Sequence, residues 1–150
     1  MRVHRLEREQ RVARPVRDVF RFFAEARNLE RITPPWLGFE VLGTRSADMG
    51  AGTVIEYRLR LHAIPLRWTS RIDEWSEDRG FVDRQVKGPY RLWHHRHEFV
   101  ADGEGTLVRD TVRYALPFGP AGELAHAAFV RRDLERIFAF RRVAVQDALG

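Results

Sequence analysis

Cysteine is absent from the 150-residue sequence, which excludes disulfides, thiolate zinc sites and cysteine nucleophiles. The sequence also lacks any run of about 18 consecutive apolar residues, so no segment is predicted to span a membrane. The first residues, Met1 to Glu7, contain no apolar run of the kind that a signal peptide needs. We therefore expect a cytoplasmic protein without stable membrane insertion.

Lysine is almost absent as well. Lys87 is the only lysine among 26 basic residues, so arginine supplies nearly all of the positive charge behind the net charge of +5. The arginines are interleaved with Asp and Glu along the whole chain and form no basic block. Because this distribution predicts no one-sided basic surface, we expect no nucleic-acid partner.

The N-terminal third is predicted to contain one strand and two short helices. The weakly alternating first strand ends near Val12, and Pro15 then opens a helix with a single apolar stripe. Asn28 is a candidate cap for the second helix, which must end before Pro34 and Pro35.

The middle of the chain is predicted to form strands separated by short turns. Short connections make consecutive strands antiparallel neighbours. The predicted strands cover residues 39–44, 53–61, 64–75, 81–87, 90–101 and 106–115.

The longest predicted element is a C-terminal helix over residues 122–149. Its apolar residues fall near one helical face, where Arg131 and Arg141 interrupt their line. No repeat or linker divides the chain, so the elements predict a single α+β domain over residues 1–150. Its curved antiparallel sheet of about seven strands would wrap round the terminal helix. The apolar residues of the helix are Leu124, Ala127, Ala128, Leu134, Ile137, Phe138, Val145 and Ala148.

Cross-strand pairing indicates which side chains share the concave face of this sheet. With residues 102–105 as the last loop, His97 lies opposite Asp110. The upstream hairpins give the same face except at Gly88 and Pro89, where a two-residue loop would break the alternation and a bulge or longer loop is required. The predicted inward residues of interest are Tyr57, Trp68, Ser70, Asp83, Gln85, Trp93, His95, His97, Phe99, Asp110, Val112 and Tyr114.

This inward face is too polar for an ordinary core. A buried polar group without a partner costs about 1–3 kcal/mol. A few convergent polar groups in an apolar concavity are typical of a small-molecule pocket. We therefore treat the inward residues, together with Leu134 and Phe138 of the terminal helix, as candidate ligand-binding residues.

These motifs resemble the START and birch-pollen-allergen-like (SRPBCC) superfamily, in particular a bacterial ligand-binding branch related to polyketide cyclases. The resemblance extends over nearly the whole chain. It implies a helix-grip fold with a cavity between the sheet and the C-terminal helix, but it supplies no catalytic residue. The matching motifs are Pro15–Phe20, Asn28-Leu29, Thr33-Pro34-Pro35, Gly88-Pro89-Tyr90 with Trp93, His95, His97 and Phe99, Gly105–Asp110, Leu116–Gly119, and Phe129–Arg132 with Leu134 and Phe138.

The two alternating histidines allow three interpretations. His95 and His97 are either a hydrogen-bonded structural pair, polar contacts for a ligand, or two ligands of a zinc ion with Asp110 as a third ligand or an orienting group. Asp83 either binds a ligand hydroxyl or pairs with an inward arginine such as Arg131 or Arg141. The sequence requires neither a metal nor a cofactor.

The predicted function is binding of a small, largely hydrophobic molecule. The alternative is an enzyme of the cyclase or dehydratase kind, with His97 and Asp110 as an acid–base pair. A third alternative is a partner-binding module, because the resemblance implies that this fold is sometimes joined to an oxidoreductase domain.

Overall fold

The computed structural model describes residues 1–44 and 49–150. Within them, seven strands form one antiparallel sheet in the order β1-β7-β6-β5-β4-β3-β2. This architecture confirms the predicted α+β helix-grip fold. The strands are β1 (His4–Val12), β2 (Glu40–Thr44), β3 (Val54–Leu61), β4 (Ile64–Ser76), β5 (Gly80–Lys87), β6 (Leu92–Asp102) and β7 (Gly105–Ala115).

The helices lie at the places that the sequence predicts, with two corrections. Two short helices and a 3₁₀ turn follow β1, and a longer helical region follows β7: α1 (Val16–Ala24), α2 (Asn28–Arg31), the turn Pro35–Leu37, α3 (Gly119–Ala125), a π-helical segment (His126–Val130) and α4 (Arg131–Leu149). Asn28 does not cap α2, because its side-chain amide donates to the carbonyl oxygen of Phe22 at 2.9 Å. Leu124 does not face the sheet with Leu134. It is 72% exposed, because the π-helical segment interrupts the helical repeat between them.

The strand registers confirm the predicted inward face. His97 lies opposite Asp110 in β6 and β7, and Tyr57 lies opposite Trp68 in β3 and β4. Between β5 and β6 the chain uses residues 88–91 as the longer loop that the alternation required, and Asp83 consequently lies opposite His95. Three strands thus bring their polar inward residues side by side.

The core is concentrated between α1 and the middle of the sheet. The buried ring of Phe20 makes edge-on contacts with Trp75, Phe81 and Phe99, at centroid distances of 5.2, 6.3 and 5.5 Å. The apolar stripe after Pro15 therefore anchors α1 on the sheet. This packing closes one end of the concave face and leaves the other end for the site described below.

Within residues 1–44 and 49–150, no helix combines the length and the apolarity that a bilayer crossing requires.

We predict that Phe20→Ala lowers the free energy of unfolding by about 3–5 kcal/mol, because it removes a ring that is 1% exposed and leaves a cavity. Urea denaturation measures the change. The matched control is Phe118→Ala, since Phe118 is 83% exposed and its removal should change stability by less than about 0.5 kcal/mol. Equal effects of the two substitutions would contradict this account of the core.

Candidate functional site

A partly open cavity of about 170 Å³ lies between the concave face of the sheet and α4. In this measure one water molecule needs roughly 10–15 Å³, so the space admits a small organic molecule. The lining residues are Leu29, Ile32, Thr33, Leu37, Phe39, Tyr57, Leu59, Leu61, Trp68, Ser70, Asp83, Tyr90, Trp93, His95, His97, Leu134, Ile137, Phe138 and Arg141.

Aromatic rings form one wall of the cavity. The rings of Trp68 and Trp93 meet at right angles with centroids 5.3 Å apart, and Tyr90 lies 4.9 Å from Trp93. The indole nitrogen of Trp68 donates to the hydroxyl of Ser70 at 2.9 Å, so this polar atom has a partner within the protein. The wall therefore offers an incoming molecule mostly apolar contacts.

The polar end of the cavity is a cluster of His95, His97, Asp83 and Asp110, which we call the imidazole–carboxylate cluster. Nε2 of His95 lies 2.8 Å from Oδ1 of Asp110, and Nε2 of His97 lies 2.5 Å from Oδ2 of Asp83. The predicted pairing of His97 with Asp110 is thus corrected. The two residues are opposite in backbone register, but Asp110 accepts from His95, whereas His97 donates to Asp83, for which the sequence had indicated a ligand hydroxyl or an arginine.

The two imidazoles are stacked and point in opposite directions. Their centroids are 3.7 Å apart with an interplanar angle of 23°, and Phe81 stacks on the outer face of His97 at 4.2 Å. Nδ1 of His97 lies 3.5 Å from Asp110, and Nδ1 of His95 lies 4.0 Å from Asp83. Both rings are therefore held between two carboxylates.

Charge compensation keeps both carboxylates ionised. Burial opposes ionisation of Asp110, but the Arg141 guanidinium, 3.4 Å away, and the hydrogen bond from His95 hold the pKa of this carboxyl below its usual range. Burial likewise opposes ionisation of Asp83, but the hydrogen bond from His97 and the charge of Arg141 lower its pKa. An ionised carboxylate only accepts hydrogen bonds, so each imidazole donates from Nε2.

His97 is neutral at pH 7. Burial and the neighbouring His95 lower the pKa of His97 to about 4, although Asp83 and Asp110 act in the opposite direction. With its proton on Nε2, Nδ1 of His97 is an acceptor that is buried without a hydrogen-bond partner. Nδ1 of His95 also lacks a partner within hydrogen-bond distance among the described residues. Of these two atoms, Nδ1 of His97 lies against Asp110, which leaves Nδ1 of His95 as the candidate acceptor for a ligand.

Residues 12–140 match the sequence profile of the family described as polyketide cyclase / dehydrase and lipid transport. The chain belongs to this family. The match extends from the end of β1 into α4, so it includes every residue of the imidazole–carboxylate cluster. No curated protein matches the chain.

Solved structures share the fold of this family member. The Zhui aromatase/cyclase from Streptomyces sp. R1128 superposes with a TM-score of 0.78 at 18% identity, over 99% of this chain and 94% of that one. A norcoclaurine synthase point mutant from Thalictrum flavum, in complex with a transition-state analogue, gives 0.71 at 13% identity, over 98% and 94%. A START superfamily protein from Mycobacterium smegmatis gives 0.69 at 12% identity, over 97% and 99%. At these identities the likeness establishes the fold alone.

Nine of the fourteen predicted ligand-binding residues line the cavity: Tyr57, Trp68, Ser70, Asp83, Trp93, His95, His97, Leu134 and Phe138. The other five lie outside the lining. The side chain of Gln85 bonds both the backbone oxygen and the backbone nitrogen of Tyr90, at 2.6 and 3.0 Å. Asp110 bonds His95, and the hydroxyl of Tyr114 lies 2.8 Å from Nε2 of His126. Phe99 and Val112 are packed into the core.

The remaining lining residues were not among the predicted ligand-binding residues. Tyr57, Leu59 and Leu61 occupy every second position of β3 and therefore share one face. This spacing was the signal that could have identified Leu59 and Leu61 as lining residues. Arg141 interrupts the apolar line of the terminal helix, where an inward guanidinium needs a partner such as Asp110. The residues from α2 and the 3₁₀ turn carry no periodic signal, because these elements are too short.

The cluster does not converge on one metal ion as it stands. Donor atoms of Asp83, His95 and His97 all lie within 4.8 Å of one another, and Asp83 replaces the predicted third ligand Asp110. An imidazole binds a metal in the plane of its ring, at about 2.0–2.1 Å. Rings that are nearly parallel and 3.7 Å apart share no such point. The arrangement favours the two hydrogen-bonded pairs.

We predict that the free energy of unfolding decreases as the pH falls from about 6.5 to 4. The native state keeps His97 neutral down to a pKa of about 4, whereas the unfolded chain takes up this proton near pH 6.5. This difference in the pKa of His97 corresponds to a loss of about 3 kcal/mol in the free energy of unfolding. The lowered pKa values of Asp83 and Asp110 act in the same direction at the acid end, since they stay ionised where unfolded carboxylates are protonated.

Urea denaturation at several pH values measures this slope. In His97→Gln, the number of protons taken up on unfolding should fall by about one over the same pH range. The control His62→Gln, at an exposed histidine, should keep the slope of the parent protein. A His97→Gln slope that equals the parent slope would rule out His97 as its source.

Proposed function

We propose that this domain binds a small, largely hydrophobic molecule in the cavity between the sheet and α4. The observation that carries the proposal is the combination of an aromatic and aliphatic wall with a polar end formed by Asp83, His95 and His97. The family description, which joins polyketide chemistry and lipid transport, supports a ligand of this class. A cytoplasmic location and an oxidoreductase partner stay predictions from the sequence.

The polar end also indicates which functional group the ligand carries. Asp83 is ionised, and its side chain retains 19% exposure beside the cavity. Nδ1 of His95 is an acceptor when Nε2 donates to Asp110. Both groups accept hydrogen bonds, so a hydroxyl or enol donor at one end of an otherwise apolar molecule fits best.

We predict that Leu134→Trp weakens binding at least tenfold, or about 1.4 kcal/mol, because a larger side chain fills the cavity from α4. Fluorescence titration with the neutral apolar probe N-phenyl-1-naphthylamine measures the affinity. Native mass spectrometry of the freshly purified protein tests for an apolar molecule that co-purifies with it. The matched control is Leu124→Trp, because Leu124 belongs to α3 and is 72% exposed.

Urea midpoints of both variants show whether they remain folded. If folded Leu134→Trp binds the probe as tightly as Leu124→Trp, the probe does not occupy this cavity and the proposal fails.

A second candidate function is acid–base catalysis at the same polar end. His95 lines the cavity and donates from Nε2 to Asp110. Its other ring nitrogen, Nδ1, is therefore available as a base. The sequence assigned this role to His97, whereas Nδ1 of His97 is buried and lies against Asp110. His95 is therefore the better base for a cyclase or dehydratase reaction.

His95→Gln separates the two functions. An enzyme should lose turnover about 100-fold or more while it still binds its substrate, because a positioned base contributes about 10²–10⁴-fold. A carrier should change in affinity only. Conversion of a β-polyketone substrate, followed by mass spectrometry, measures turnover. His94→Gln, at the neighbouring position on the opposite face of β6, is the control.

A further inference from the structure

A second cluster of metal-binding side chains lies outside the cavity, where the start of β1 meets α3. Nε2 of His4 contacts both carboxylate oxygens of Glu123, at 3.0 and 2.9 Å. The ring of His126 stacks on the ring of His4 with centroids 3.6 Å apart. One donor atom of each of these three residues lies within 4.8 Å of the other two. We call His4, Glu123 and His126 the β1–α3 cluster.

The backbone explains why these three residues meet. Glu123 and His126 are three positions apart at the end of α3, so they share one helical face. His4 is the first residue of β1 and pairs with Tyr114 of β7, whose hydroxyl lies 2.8 Å from Nε2 of His126. The π-helical segment begins at His126 itself, and such segments occur frequently at functional sites.

The donor set is one that zinc prefers. Two imidazoles and a carboxylate are found in zinc sites that keep a fourth position open. Tyr114 bonds Nε2 of His126, which leaves Nδ1 as the nitrogen for an ion, and a partner on the other ring nitrogen is typical of metal-bound histidine. An open pocket of about 410 Å³ adjoins the cluster and gives room for a further ligand.

We propose that the β1–α3 cluster binds a divalent transition-metal ion such as Zn²⁺, with Tyr114 as a positioning residue for His126. The site is separate from the ligand cavity, since none of its three ligands lines that cavity. Binding ties the start of the edge strand β1 to α3. The fourth position faces the adjoining pocket and is open to water or an anionic group.

The two imidazoles of the β1–α3 cluster are not aligned for one ion in this arrangement. His4 and His126 are nearly parallel, at 18°, so one ring must rotate before both bind in plane. His4 stands at the beginning of an edge strand, and the side chain of Glu123 is 30% exposed. The cavity pair, by contrast, lies on the inner strand β6, and Phe81 stacks on His97.

Three arginines, Arg2, Arg5 and Arg131, also line the adjoining pocket and oppose a cation. Arg5 pairs with Glu7, and Arg131 pairs with Glu135 at 3.4 Å, so two of the three are compensated. The third, Arg2, favours an anionic group at the open position of the bound ion.

Isothermal titration of the full chain with Zn²⁺ at pH 7.5, without an affinity tag, tests the proposal. We expect a 1:1 complex and a rise of the melting temperature by about 5–10 °C at a hundredfold excess over Kd. His4→Ala and Glu123→Gln should each weaken binding about 100-fold, and Tyr114→Phe, which removes only the positioning hydroxyl, about tenfold. Glu123→Gln keeps the test valid if another variant fails to fold, because it preserves the shape of a partly exposed side chain.

His62→Ala is the matched control, since His62 forms a similar imidazole–carboxylate contact with Asp133 at 2.7 Å but has no third ligand beside it among the described residues. This variant should bind Zn²⁺ like the parent protein. Absence of a 1:1 complex, equal affinity in all variants, or loss of binding in His95→Gln instead would each overturn the proposal.

Discussion

The burial of two carboxylates in the concave face is the constraint on which the rest of this structure depends. Asp83 and Asp110 are held by donors from β6 and by Arg141 of α4. Removal of one member of such a network leaves a buried charge unpaired, which is costly. The registers of three strands and the position of the helix are consequently linked through these contacts. The same contacts fix the proton positions on the imidazoles that border the cavity.

The sequence predicts the sheet well because side chains alternate with a period of two and the turns are short. The 88–91 loop illustrates this point, since the break in alternation at Gly88 required a longer connection and the register of Asp83 with His95 confirms it. Alternation does not predict which side chains of the inward face form hydrogen bonds with one another. Backbone register places His97 opposite Asp110, but the bond goes to Asp83, because ring orientation and the reach of Nε2 decide it.

Residues near the cavity differ in how strongly the sequence marks them. Trp93 and His95 belong to an alternating strand, so a single register assigns their direction. Leu29 and Leu37 reach the cavity from elements of four and three residues, in which no repeat develops. Gln85 points inward as its spacing predicts, but its amide bonds the backbone of Tyr90 and stabilises the loop. Periodicity thus predicts on which face of a strand a side chain lies. It does not predict which neighbouring group that side chain bonds.

The π-helical segment at His126–Val130 changes the angular relation between the two halves of the terminal helix. In an uninterrupted α-helix each residue turns about 100°, which would place Leu124 and Leu134 about 80° apart. One additional residue in a wide turn increases this separation to about 180°. The C-terminal half can therefore face the cavity while the N-terminal half is oriented independently of it. The π-helical segment thus gives one continuous helical region two faces of different orientation.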